Sequence, residues 1–121
     1  MAVYPLDWRL SRAKLLGVAF ELVRGILGVP VSVSSAYRTP DYNVAVDGAE
    51  GSLHLQGLAL DLLVPSGATP SSWHQSIVAL AQSQAGHLIR GIGYAPPSYD
   101  GGFVHVDCRQ TVSLAQWSYP R

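Results

Sequence analysis

The segment Gly57-Leu-Ala-Leu-Asp-Leu-Leu-Val64 constrains the fold more than any other stretch of the chain. It is apolar enough for a buried strand, yet a carboxylate, Asp61, stands in its middle. Successive side chains of a strand point to opposite faces, so Asp61 and Ala59 leave on one side and Leu58, Leu60 and Leu62 on the other. A carboxylate in that position needs hydrogen bonds or a neighbouring cation. The remaining chain therefore has to supply a sheet, a core on one of its faces, and partners for a charge on the other.

The flanking sequence provides the other elements. From Ser11 to Leu27, apolar residues recur at Leu15, Leu16, Ala19, Leu22, Val23, Ile26 and Leu27, the spacing of an amphipathic helix that Gly28 and Pro30 stop. Val31 to Tyr37 alternates valine with serine and reads as a strand with one buried face, Tyr37 facing the core and Arg38 the other side. Residues 38–56 carry Pro40, Asn43, Asp47, Gly48, Gly51 and Ser52 without periodicity, a long loop of the functional kind. Pro70 to Ala85 is a second helix, with Thr69 as N-cap, Trp73 anchoring it on the sheet and Gly86 closing it. Ile89 to Tyr94 and Phe103 to Cys108 read as short strands joined by the turn at residues 95–102. The expectation is one α+β domain over residues 1–121, with a small antiparallel sheet packed with helices.

Composition narrows the function. Of 121 residues, 48% are hydrophobic and 13% charged, which excludes a disordered chain. Eight basic residues balance eight acidic ones, so a nucleic-acid partner bound through its phosphates is not expected. The single cysteine, Cys108, allows no internal disulfide and no cysteine-based zinc finger. Charges interrupt the N-terminal region, so neither a secretory signal nor a membrane span is expected.

Three potential zinc ligands follow one another: His54, Asp61 and His105. Two imidazoles and a carboxylate leave a fourth position open, as in hydrolytic rather than structural zinc sites. If Phe103 to Asp107 is a strand, His105 and Asp107 share one face and Val104 and Val106 the core face, with Cys108 opposite His105. His74 and His87 read as a helix-surface and a loop histidine, outside the site.

The strings that carry these residues have a wider pattern. Ser35-Ala-Tyr-Arg38-Thr-Pro-Asp-Tyr-Asn43, then Gly51-Ser52-Leu-His54-Leu-Gln-Gly57-Leu-Ala59-Leu-Asp61, then Phe103-Val-His105-Val-Asp107 resemble the peptidase M15 family of zinc D-Ala-D-Ala carboxypeptidases and murein endopeptidases, over about residues 31–109. The resemblance implies a Hedgehog/DD-peptidase-like fold, one Zn2+ held by His54, Asp61 and His105, and cleavage of peptide bonds in bacterial peptidoglycan. Family members include phage endolysins and virion-associated lysins, often without a signal peptide. A chain made in the cytoplasm and acting on the periplasmic or extracellular wall fits that group, delivered by a phage tail or virion component, a fusion partner or a holin.

Many members carry an acidic general base three residues before the last histidine ligand, where this chain has Gly102. Asp107, two residues after that histidine, is the expected replacement, with Asp100 as fallback and a structural pairing of Asp107 with Arg109 as the alternative. Arg38 is the expected partner of the oxyanion or of a substrate carboxylate, and Ser52 the expected hydrogen-bond partner of substrate or ligand. Tyr94, Tyr99 and Trp117 are expected to line the groove. Two other functions fit the same residues: a non-catalytic, zinc-stabilised module that binds the wall or builds a phage particle, and a cytoplasmic hydrolase of small dipeptides.

Overall fold

The structure, a computed structural model, describes residues 13–35, 53–54 and 58–120. Among them the order is α1 (Ala13–Leu27), β1 (Ser32–Ser35), β2 (Ala59–Leu63), α2 (Pro70–Ala81), β3 (Gly91–Ala95), β4 (Phe103–Asp107) and β5 (Ala115–Ser118). The strands form one sheet in the order β1-β2-β4-β3-β5. This is the small α+β architecture of the sequence reading, with one addition. β1, β2, β4 and β3 pair antiparallel, whereas β5 pairs parallel to β3. The reason is geometric: after β4 the chain reverses once and settles on the far edge of β3, which already runs opposite to β4.

Arg90 fastens that return. Its guanidinium donates to the Val112 carbonyl at 3.1 Å and to the Ala81 carbonyl, while the Ala115 N–H donates to the Arg90 carbonyl at 2.8 Å. The same contacts help explain why α2 stops at Ala81, four residues before the expected end. The Ala81 carbonyl is taken by Arg90 and the Leu80 carbonyl by the Ser83 N–H, so the helix ladder has lost its acceptors. Gly86 then passes so close to Leu80 that a Cβ there would lie 2.2 Å from its carbonyl oxygen. At the other end Thr69 caps α2: its hydroxyl accepts from the Ser72 N–H at 3.1 Å, and Ser72 Oγ accepts from the Thr69 N–H at 3.4 Å. Such a cap stabilises a helix by about 1 kcal/mol.

Strand parity divides the sheet. Leu60, Leu62, Ile92, Val104 and Val106 face the helices and pack with Leu16, Ala19 and Val23 of α1 and Trp73, Ile77 and Ala81 of α2. Each of the larger groups contributes roughly 1.5–3 kcal/mol on burial. Cys108 joins this core, on the side opposite His105, as its position predicts. Three expectations need correcting. Val33 does not lie on a buried face: β1 is an edge strand, and Val33 is 40% exposed there. His74 is not on the helix surface but buried between α2 and the sheet, its ring 4.9 Å from that of Tyr94, and burial lowers its pKa despite a hydrogen bond with Gln116. Ile26 lies on the solvent side of α1, since Leu16, Ala19 and Val23 already fill the packed face.

Candidate metal centre

The other sheet face holds the chemistry, and the register sets it out in rows. Asp61 on β2 lies opposite His105 on β4, which lies opposite Gly93 on β3, which lies opposite Trp117 on β5. One step along, Ala59, Asp107, Gly91 and Ala115 form the neighbouring row. Parity within each strand requires these faces; the cross-strand partners come from the pairing itself.

Asp61 answers the question its strand poses. Its Oδ1 is 3.0 Å from His105 Nδ1 and its Oδ2 is 3.1 Å from His54 Nε2, so one carboxylate bridges two imidazoles. The imidazole rings stand edge to face, 5.3 Å apart at 75°. His54 arrives from the turn at residues 53–54, held where the Leu58 N–H donates to the Leu53 carbonyl at 3.0 Å. All three side chains are buried, and one ligand atom from each lies within 4.8 Å of the others, among the described residues a group suited to a metal ion. Burial pushes the Asp61 carboxyl up, but hydrogen bonds from His105 and His54 outweigh it and hold the group below the ordinary carboxylate range.

The donor set fits a borderline divalent cation. Two imidazole nitrogens and one carboxylate oxygen are the ligand types zinc takes, and the three negative or lone-pair atoms converge on a common space where a cation would replace the protons now shared between Asp61 and the imidazoles.

Asp107 occupies the far side of His105. Its Oδ2 accepts from His105 Nε2 at 2.8 Å, and Arg109 grips both oxygens, Nε to Oδ1 at 2.9 Å and NH2 to Oδ2 at 2.8 Å. The Arg109 backbone N–H adds a contact to Oδ1 at 3.2 Å. Burial acts to raise the Asp107 carboxyl, yet Arg109 and His105 hold it down at about 2. His105, between two carboxylates, is raised above the ordinary imidazole range although burial opposes its charge. The expected pairing of Asp107 with Arg109 is therefore present. A carboxylate with no exposed side-chain surface and both oxygens engaged is poorly arranged to exchange protons with substrate.

Gly102 shows why the sequence departs there from the acidic pattern. Its φ is +86°, and a Cβ would come within 3.1 Å of Pro70 Cγ and 3.2 Å of Pro97 Cα, so a side chain is disfavoured twice. Asp100 is exposed in the same turn, at φ +50°. Of the expected groove aromatics, Trp117 lies beside His105 at 5.3 Å between ring centroids. Tyr99 joins Phe103 and Tyr119 in a cluster that continues from Trp117. Tyr94 belongs to the helix side, because its strand parity is that of Ile92. Arg38 and Ser52 lie outside the described residues.

Gly91 and Gly93 carry no reactive group and stand outside the residues expected at the site. Their signal is a glycine at every second position of a short strand, which marks a close approach on one face. A Cβ at Gly91 would lie 2.3 Å from both Asp107 oxygens, and one at Gly93 would lie 2.3 Å from Trp117 Nε1.

The sequence model of a known family, Peptidase M15, matches residues 11–107. A comparison with curated proteins gives no match. Among the described residues no helix is long and apolar enough to cross a membrane.

Proposed function

The chain belongs to the peptidase M15 family, and on that premise we propose that it is a zinc-dependent peptidase hydrolysing a peptide bond in the stem or cross-link peptides of bacterial peptidoglycan. One observation carries the reading: two imidazoles and a carboxylate come together, buried, on the sheet face opposite α1 and α2. When bound there, zinc supplies a Lewis acid that polarises a carbonyl and makes water nucleophilic near neutral pH.

The chain's own residues do the rest. His54, Asp61 and His105 hold the ion, and the single carboxylate leaves the centre cationic. Arg38 and Ser52 are proposed to receive the substrate, the guanidinium meeting a carboxylate or the oxygen that gains charge during hydrolysis. Of the two acids weighed for proton transfer, Asp107 is engaged by His105 and Arg109, and the proposal passes the step to the fallback, Asp100, exposed in the turn that leads into β4. The phage or prophage lysin setting, with a tail, fusion partner or holin for delivery, belongs to the same proposal and is supported by the motif resemblance.

A second reading, a zinc-stabilised module without turnover, is favoured by Gly102, whose backbone does not readily take the acidic residue many relatives carry. Mass spectrometry of the products from digested sacculi separates the two. The peptidase releases peptide fragments that His54→Ala does not release; identical profiles from both proteins overturn the enzymatic reading. Zinc binding without fragments supports the module.

A further inference from the structure

We propose that Arg109 and Trp117 are positioning residues for the metal centre, acting together to lock the His105 imidazole with Nδ1 aimed at Asp61 and His54. The inference rests on the metal-binding reading of His54, Asp61 and His105 and extends it to residues outside that trio.

Four side chains close a ring of contacts. His105 Nε2 meets Asp107 Oδ2 at 2.8 Å, and Asp107 meets the Arg109 guanidinium through two hydrogen bonds of 2.9 and 2.8 Å. The Arg109 guanidinium lies 5.0 Å from the Trp117 ring centroid, and the Trp117 ring lies 5.3 Å from that of His105. Each link constrains the next. The planar fork of Arg109 fixes the Asp107 carboxylate in rotation as well as position, which a point charge would not do. That carboxylate holds Nε2, so a half-turn of the imidazole, which would carry Nδ1 away from Asp61 and put carbon in its place, breaks the hydrogen bond. Trp117 closes the open side of the imidazole and stacks under the guanidinium.

The backbone is cut to admit this ring. Trp117 reaches His105 from β5 only by crossing β3, and it crosses at Gly93, where a Cβ would lie 2.3 Å from its Nε1. Asp107 leans across β3 at Gly91 in the same way. Two bare positions on one strand thus serve two members of a single assembly, which an incidental surface ion pair would not require.

The test is zinc affinity, measured by competition with a chromophoric chelator on the full chain, together with the Nε2–H resonance of His105 by NMR. Arg109→Met is expected to weaken zinc binding about 10- to 100-fold and to lose the protected Nε2–H signal. Arg109→Lys, which keeps the charge but not the fork, and Trp117→Phe, which keeps a smaller ring, are expected to fall between; they carry the test if Arg109→Met does not fold. Folded variants that bind zinc within twofold of the parent, whatever their loss of thermal stability, overturn the inference and leave these residues a purely structural role. A parent chain that binds no zinc overturns the underlying metal reading instead.

Discussion

Asp61 and His105 face one another across β2 and β4, and the carboxylate that opposes His105 also reaches His54, so a single acidic side chain ties a turn to the middle of the sheet. Asp61→Asn keeps the shape and removes the negative charge. Zinc affinity should fall at least about 100-fold in this variant, because a neutral amide is a weak ligand and no longer offsets the cation. Isothermal titration with zinc checks it, and retained binding would count against Asp61 as a ligand.

Metal loading should also stabilise the fold, since it ties His105 on β4 to Asp61, 44 residues earlier on β2, and to His54 in the turn before that strand. At zinc one hundred times its dissociation constant, mass action adds about 2.7 kcal/mol. In a chain of this length that raises Tm by about 10 °C, reversed by a chelator. A melting temperature indifferent to zinc and chelator alike would contradict the assignment.

Acid should unfold the metal-free protein through Asp107. Its carboxyl sits at about 2 in the folded chain against an ordinary 3.8, so the unfolded state binds the proton more readily. The corresponding stabilisation, about 2 kcal/mol, is present in full above pH about 4 and is lost as pH falls from there toward 2. Asp61 is depressed as well and titrates in the same direction. Asp107→Asn should therefore flatten the acid limb of a stability profile without abolishing it.

A methyl group at Gly91 should be costly and one at Gly17 should not. Gly91→Ala drives a Cβ into the Asp107 carboxylate, whereas a Cβ at Gly17 in α1 meets nothing within 4 Å. Denaturant unfolding should show Gly91→Ala destabilised by about 1–3 kcal/mol. Gly17→Ala should be stabilised by up to about 1 kcal/mol, since alanine in a helix interior loses less backbone freedom on folding.

Cys108 should be silent toward thiol reagents while the protein is folded. Burial, reinforced by the charge of Asp107, pushes its thiol up to about 12, and the side chain packs in the helix-side core. At pH 8 the native protein should react with a disulfide reagent at least about 100-fold more slowly than the denatured chain. Fast labelling under native conditions would place the thiol elsewhere.

Most of the site was legible because strand parity is a local property. Asp61 apart from its leucines, His105 and Asp107 on a common face, and Cys108 opposite them all follow from counting along one strand. What lies across strands was not legible, because parity assigns a face without assigning a register. Gly91 and Gly93 acquire meaning only when β3 is set against β4 and β5. β5 itself went unread: Ala-Gln-Trp-Ser is half-exposed at a sheet edge and has too few apolar residues to announce a strand. His74 was misplaced for a related reason, since a histidine beside Trp73 on a helix gives no sign that the packed face is wide enough to take both.

Transplanting this centre onto another antiparallel scaffold would take more than copying its polar residues. A graft of His54, Asp61, His105, Asp107, Arg109 and Trp117 onto a sheet with ordinary side chains on the adjoining strand would collide with that strand at two registers. The acceptor needs a β3 counterpart stripped to hydrogen at those two places, so the centre's footprint includes two positions that a search for reactive residue types would never score.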